Sequence, residues 1–180
     1  KGAYAASVDI GTNGSSLTKI TALDASANTA GTLLTTGGQT GALTVTGSAA
    51  ADTVTVGAVG TGGSITVNSG AGNDIVSTTQ AIIAAQNFNG GAGTDILRIS
   101  DAANSTTQAL TVADGTFVNM SGFETVDISA AHKGDILWTL GGYSNALAAG
   151  ASNNTLGITA KAFIPAAVLD IMTINASALA

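Results

Sequence analysis

The sequence predicts an all-β chain folded as a parallel β-roll or β-helix, with turns containing glycine and aspartate along one edge. Three aspartates, Asp52, Asp74 and Asp95, recur at nearly equal intervals along the chain. An apolar residue lies seven positions before each aspartate and another lies two positions after it. This is expected when two inward-facing strands flank a turn. The first apolar set is Val45, Val67 and Phe88, and the second is Val54, Val76 and Leu97.

Each repeat, from one aspartate to the next, is slightly longer than the ~18 residues of two nonapeptides and therefore long enough for one complete coil of a solenoid. The aspartate turns then form one edge, and looser segments at 57–64 and 79–86 form the opposite edge. The second segment contains QAIIAAQ, which predicts either one helical turn or an irregular connection. The aspartates would stack at the separation of neighbouring strands, ~4.8 Å, so their charges repel unless a cation lies between them.

The turn sequences favour calcium as that cation. Residues 89–97 read NGGAGTDIL, residues 69–76 read SGAGNDIV, and residues 47–54 read GSAAADTV, a degenerate version. Glycine adopts positive φ and leaves its carbonyl oxygen accessible, while aspartate supplies the hard anionic oxygen that Ca²⁺ prefers. The alternative is a metal-free turn, since aspartate favours turns in general.

Together with residues 120–128, which read MSGFETVDI, these nonapeptides resemble RTX-type proteins, and most closely the calcium-dependent bacterial surface-layer (S-layer) proteins of that group. In that group a segment like GGAGTDIL is followed at a similar distance by GFET and an apolar strand, as Gly93 is followed by Gly122 here. The resemblance covers about positions 42–140. It implies Ca²⁺ as the bound ion, export by type I secretion to the cell surface, and assembly of identical chains into a lattice or filament.

The resemblance also implies which residues hold the ion. Aspartates would supply side-chain oxygens, and glycines would supply backbone carbonyl oxygens or shape the turn. The candidate calcium-binding residues are Asp52, Gly70, Gly72, Asp74, Gly91, Gly93 and Asp95. The turn of Asp52 has alanines where glycines are expected.

Composition fits a thin β core and limits the partners. Of the 180 residues, 45% are hydrophobic but only 4% are aromatic, which excludes a thick core of large side chains. No apolar run approaches the ~20 residues of a membrane-spanning helix. Five basic residues and a net charge of −6 exclude a nucleic-acid surface. The lack of cysteine excludes disulfides, thiol catalysis and zinc–thiolate sites, so calcium would stabilise the fold in their place.

No residue pattern predicts an enzyme. His132, the one histidine, has no catalytic or ligand partners at a suitable spacing and is expected in an exposed turn. Glu124 and Asp127 lie three positions apart in an alternating strand and so face opposite sides, which disfavours a carboxylate pair for glycoside hydrolysis. Trp138 and Tyr143 are candidates for stacking on sugars, but a single tryptophan more often fills a core.

By sequence, the chain divides into an N-terminal β segment at 1–41, a calcium-binding RTX-like β-roll at 42–100 and a metal-poor β continuation at 101–180. Since the chain begins with Lys1 rather than methionine and shows no signal peptide, we expect a processed or excised part of a longer polypeptide.

A fourth copy of the repeat is predicted around Asp135, which lies about two repeat lengths beyond Asp95. Ile128 and Leu137 occupy the expected apolar positions around it. Its turn lacks paired glycines and contains a lysine, so we interpret it as a coil without metal in which the ammonium of Lys133 replaces the cation.

These features predict a structural, secreted protein of a bacterial surface layer or related extracellular assembly, with folding and assembly linked to calcium. Cell-surface polysaccharide is a further candidate partner. One alternative makes the calcium roll an accessory module of a type I secreted enzyme or toxin, which a catalytic domain before Lys1 would favour. Another makes it an adhesin, which a glycan array or a cell-adherence assay would distinguish from a lattice former.

Overall fold

Short runs of alternating β-branched and polar residues form strands, and these strands coil into a β-solenoid of about 5 turns. The computed structural model describes residues 6–10, 20–100, 110–128, 136–147, 156–159 and 172–175. Every strand pairing within these ranges is parallel. The prediction of a parallel β-roll or β-helix is therefore confirmed.

The strands are short, as expected when each spans one side of a thin solenoid. In chain order they are β1 (Ala6–Asp9), β2 (Ala22–Asp24), β3 (Thr32–Thr36), β4 (Ala42–Thr46), β5 (Thr53–Val56), β6 (Ser64–Asn68), β7 (Ile75–Thr79), β8 (Asn87–Asn89), β9 (Ile96–Ser100), β10 (Leu110–Val112), β11 (Met120–Ser121), β12 (Thr125–Asp127), β13 (Ile136–Thr139), β14 (Gly157–Thr159) and β15 (Met172–Asn175). Two helices, α1 (Gln80–Ile83) and α2 (Gly142–Leu147), and a 3₁₀-helix (Asp114–Phe117) lie between them.

Three sheets result from the coiling. A seven-stranded sheet has the order β1-β3-β5-β7-β9-β12-β14, and a five-stranded sheet has the order β11-β8-β6-β4-β2. Five successive coils each contribute one strand to each of these two sheets, and β1 and β14 extend the seven-stranded sheet at its two ends. A three-stranded sheet, β10-β13-β15, forms separately. The seven-stranded sheet continues across positions 41/42 and 100/101, where the sequence placed its segment limits.

The register of the strands agrees with the predicted phase of the repeats. Val45, Val67 and Phe88 are successive partners in the five-stranded sheet. Val54, Val76 and Leu97 are successive partners in the seven-stranded sheet. All six side chains are buried and pack into one hydrophobic core. Burying the same apolar column in every coil fixes the register, because a slip of one residue would turn the column outward.

The edge opposite the aspartates is irregular, as predicted. Residues 57–63 form a loop, and α1 supplies the single helical turn within 79–86. Gln86 is buried, and its side-chain oxygen accepts a hydrogen bond from the backbone N–H of Ile65 at 2.6 Å. This bond ties the irregular edge of one coil to the strand of the preceding coil.

The prediction of a fourth copy around Asp135 is wrong. Leu137 lies in β13 of the three-stranded sheet and is 39% exposed, whereas Val126 pairs with Leu97 and continues the buried column. The reason is an insertion of β10 and the 3₁₀-helix, which makes this coil longer than those before it. Asp135 itself lies outside the described residues, as does Lys133.

Several other sequence predictions concern the C-terminal part. The sequence also predicts strands at 156–159 and 171–174, and β14 and β15 are found there. Trp138 is fully buried and stacks on Phe117 with ring centroids 5.8 Å apart, so it fills a core as expected. His132 and residues 164–169 lie outside the described residues. Within the described ranges, no helix has the length and apolar character needed to cross a membrane.

Candidate metal centre: a column of stacked carboxylates

The turns on one edge of the solenoid place acidic side chains directly above one another. Asp52, Asp74, Asp95 and Glu124 occupy the same position in successive coils, immediately before a strand of the seven-stranded sheet. The three aspartates are almost fully buried, with exposed fractions of 1%, 1% and 0%. We call these four residues the carboxylate column.

Each carboxylate in the column accepts a hydrogen bond from the backbone of the coil before it. Asp74 Oδ1 accepts a hydrogen bond from the backbone N–H of Asp52 at 2.8 Å. Asp95 Oδ1 accepts from the backbone N–H of Asp74 at 2.8 Å, and Glu124 Oε2 accepts from the backbone N–H of Asp95 at 2.6 Å. Hydrogen bonds to charged acceptors are stronger than neutral ones, so the column joins the coils even before any ion is considered.

The second carboxylate oxygens of Asp74 and Asp95 do not hold a neighbouring coil. Asp74 Oδ2 and Asp95 Oδ2 are buried and have no hydrogen-bond partner, and the hydroxyl of Ser69 is also buried and unpartnered. Ser69 occupies the position that Gly47 and Gly90 hold in the neighbouring coils. A Cβ atom at Gly90 would lie 2.9 Å from Asp95 Oδ2, so this position faces the carboxylate of its own turn.

The column is electrostatically unbalanced without a cation. Burial raises the pKa of Asp74 to about 7; the hydrogen bond from Asp52 opposes this shift, and the charges of Asp95 and Asp52 add to it. Burial also raises the pKa of Asp95, against the hydrogen bond from Asp74, and the charge of Glu124 contributes. Either protons or a bound cation must therefore offset the buried negative charge.

The glycine turns beside the aspartates have the backbone that the sequence predicted. Gly70, Gly72, Gly91 and Gly93 have φ values of 106°, 127°, 99° and 147°. Added Cβ atoms at Gly91 and Gly93 would overlap the carbonyl oxygens of Gly70 and Gly72 in the preceding coil. Glycine is thus required both for its positive φ and for the close approach of the stacked turns.

Backbone hydrogen bonds stack these two turns. The N–H of Ala92 donates to the Gly70 carbonyl at 3.0 Å, and the N–H of Gly72 donates to the Ala92 carbonyl at 2.9 Å. Within the described residues, no three histidine, cysteine, aspartate or glutamate side chains converge as a metal-binding group. An ion at the column would need hydroxyl, backbone or water oxygens besides two carboxylates, which suits the oxygen-rich coordination of Ca²⁺.

Asp52 differs from the other two aspartates because both of its carboxylate oxygens accept hydrogen bonds. Its Oδ1 accepts from the backbone N–H and the hydroxyl of Thr32, at 2.6 and 2.7 Å, and from the hydroxyl of Ser48 at 3.0 Å. Its Oδ2 accepts from the backbone N–H of Ser48 at 2.6 Å. The structure thus separates Asp52 from Asp74 and Asp95, which the sequence placed in one set.

Sequence reasoning missed Glu124, Thr32, Ser48 and Ser69 as members of this site. The repeat spacing did not identify Glu124, because the coil that leads to it is longer than the earlier ones. Val126, two positions after Glu124, nevertheless fits the apolar pattern of the repeat. The serine and threonine roles depend on contacts between coils, which sequence spacing does not reveal.

The carboxylates considered for catalysis are engaged elsewhere. Glu124 belongs to the column, and Asp127 pairs with Arg98 at 2.8 Å between Asp127 Oδ2 and Arg98 Nε. Tyr143 is exposed, and Trp138 is buried, so these two aromatic side chains do not form a shared surface for sugars.

No known protein family, curated protein or solved structure matches this chain.

In the absence of calcium, the free energy of unfolding is expected to fall as the pH rises from about 4 to about 7. The folded-state pKa of Asp74 is raised to about 7 from an ordinary value of 3.8, so the folded state binds its proton more tightly. The stabilisation is complete below the ordinary pKa and is lost as the pH rises through the folded-state value. Urea unfolding in chelator at a series of pH values measures this, and Asp74→Asn should show a weaker dependence. Increasing stability over the same interval would contradict the expectation.

Proposed function

We propose that this chain is a structural β-roll segment of a secreted protein in a bacterial surface layer or related extracellular assembly, and that Ca²⁺ controls its folding. The supporting observation is the pair of buried, unpartnered oxygens, Asp74 Oδ2 and Asp95 Oδ2, in adjacent coils. Buried charged oxygens without partners are strongly destabilising, and a hard cation bound between them removes that penalty.

The residues around the pair fit calcium. The carboxylates of Asp74 and Asp95 and the hydroxyl of Ser69 offer oxygen atoms that the protein does not otherwise use. The positive-φ turns at 70–72 and 91–93 bring backbone close to the same edge. Oxygen donors of this kind suit Ca²⁺, whereas softer metals prefer nitrogen or sulfur, and the chain has no cysteine.

Calcium concentration would then decide where the chain folds. At ~1 mM free calcium and a dissociation constant of ~0.1 mM, typical of extracellular sites, one ion stabilises the folded state by ~1.4 kcal/mol. At the much lower free calcium of the cytosol the same site contributes almost nothing. A chain with this property stays less completely folded before export and completes its folding outside, as expected for type I secretion.

Assembly into a lattice or filament is proposed because described strands lie at the edges of the two main sheets. Among the described strands, β1 ends the seven-stranded sheet and β2 ends the five-stranded sheet. All four residues of β1 are exposed. An edge strand of a parallel sheet, such as β2, can pair with a strand of another chain. A second copy of this chain is therefore the proposed partner.

Cell-surface polysaccharide is proposed as a further partner because of the outer face of the five-stranded sheet. Over four of its strands this face is polar but uncharged, which suits a neutral ligand rich in hydroxyl groups. Its residues are Thr44, Thr46, Thr66, Asn68, Asn87, Asn89 and Ser121.

The proposal is tested by titrating calcium into chelator-treated protein while recording circular dichroism and electron micrographs. We expect a cooperative gain of β signal at millimolar calcium, followed by ordered assemblies, and a much smaller response to magnesium. Identical spectra and identical particles in chelator and in calcium would refute the proposal.

A further inference from the structure

The carboxylate column is built differently at Asp52, its first member, than at Asp74 and Asp95. Thr32 occupies the equivalent position one coil before Asp52, so a hydroxyl side chain rather than a carboxylate precedes the column. The Thr32 hydroxyl donates to Asp52 Oδ1 at 2.7 Å, in parallel with the backbone N–H of the same residue at 2.6 Å. Later column positions hold acidic residues, whose ionised side chains cannot donate a hydrogen bond in this way.

Ser48 distinguishes the turn of Asp52 from the two glycine turns that follow. It occupies the position that Gly70 and Gly91 hold, four positions before the aspartate. Its backbone N–H donates to Asp52 Oδ2 at 2.6 Å, and its hydroxyl lies 3.0 Å from Asp52 Oδ1. That hydroxyl also lies 3.2 Å from the Ala50 carbonyl, so the carboxylate is the nearer acceptor.

These donors give both oxygens of the Asp52 carboxylate hydrogen-bond partners. Three donors lie at Oδ1 and one lies at Oδ2, all from Thr32 and Ser48. An ion bound there would compete with donors that are already in place. Asp74 and Asp95, by contrast, each keep one buried oxygen with no partner.

We propose that Thr32 and Ser48 form a metal-independent cap on Asp52, so that calcium enters the carboxylate column only from Asp74 onward. The inference rests on the proposed calcium-dependent folding and specifies where that dependence begins. Hydrogen bonds hold the coils around Asp52 at any calcium concentration, whereas the coils of Asp74 and Asp95 need the ion. The roll would therefore fold in two stages, with the capped coils ordered first.

Amide hydrogen exchange of the whole chain tests this order. In chelator, the wild-type protein should keep strongly protected amides between residues 32 and 56 and show much weaker protection between residues 69 and 100. Added calcium should restore the second region. A uniform loss of protection across both regions in chelator would overturn the cap but leave calcium-dependent folding intact.

The double variant Thr32→Val/Ser48→Ala removes both hydroxyls while keeping side-chain size nearly constant. Without calcium, the backbone amides of residues 32 and 48, which both donate to Asp52, should exchange at least ~10-fold faster than in the wild type, since each hydroxyl bonds a buried charge. Thr44→Val/Ser121→Ala makes the same changes at exposed positions and should exchange like the wild type. Each single variant is measured as well, so that the cap remains testable if the double variant fails to fold. Wild-type exchange in Thr32→Val and in Ser48→Ala would overturn the proposal.

The number of bound ions, counted by native mass spectrometry in calcium, provides the second readout. Asp52→Asn should bind as many ions as the wild type, and Asp74→Asn should bind fewer. An equal loss of ions in both variants would overturn the cap. If the wild type binds no ion at all, the proposed calcium function fails, while the exchange comparison in chelator still decides the role of Thr32 and Ser48.

Discussion

Gly93→Ala is expected to destabilise the roll by about 3 kcal/mol or more. Gly93 has φ of 147°, and a Cβ atom there would overlap the carbonyl oxygen of Gly72 in the preceding coil. That oxygen belongs to backbone, which cannot move aside without breaking the stack of turns. Urea unfolding followed by circular dichroism in calcium measures the loss.

Gly115→Ala is the matched control for this change. A Cβ atom at Gly115 would meet nothing within 4 Å, so the same substitution should change the unfolding midpoint little. Equal midpoints for Gly93→Ala and Gly115→Ala would mean that the turns are not stacked as closely as the structure has them.

Asp74→Asn and Asp95→Asn are expected to change stability in opposite directions with and without calcium. An asparagine oxygen can still accept the backbone N–H from the preceding coil, so the stack is kept. In chelator at mildly alkaline pH, removing an unpaired buried charge should stabilise each variant by ~1–2 kcal/mol. In millimolar calcium, the loss of a charged ligand should destabilise each variant by ~1–3 kcal/mol.

Asp24→Asn is the control for the opposite stability changes expected with and without calcium. Asp24 is exposed, and its carboxylate accepts a hydrogen bond from the backbone N–H of Ser26 at 2.9 Å, outside the column. Its substitution should have the same small effect in calcium and in chelator. If the column variants also respond equally in the two conditions, Asp74 and Asp95 do not share an ion.

The part of the fold governed by simple periodicity was predictable from sequence. The spacing of Asp52, Asp74 and Asp95 and the apolar residues around them predicted one coil per repeat, and the strand register agrees. Periodicity works here because each coil repeats the same two requirements, an inward apolar column and a turn that permits close stacking.

The remainder depends on contacts between distant segments. The insertion before Glu124 breaks the period, so spacing alone points to Asp135 as the next copy although Glu124 holds that position. The sequence also did not reveal that both Asp52 oxygens have hydrogen-bond partners, because this depends on Thr32 in the preceding coil and on a serine where later turns have glycine. Sequence spacing located the column but could not distinguish a satisfied carboxylate from an unsatisfied one.

The most direct test measures the free energy of unfolding of the wild type and of Asp74→Asn/Asp95→Asn across a series of free calcium concentrations. If one ion is bound between these aspartates, wild-type stability should rise by ~1.4 kcal/mol for each tenfold increase in calcium above the dissociation constant. The double variant should show a flat line. A flat line for the wild type, or equal slopes for both proteins, would contradict calcium binding in the carboxylate column.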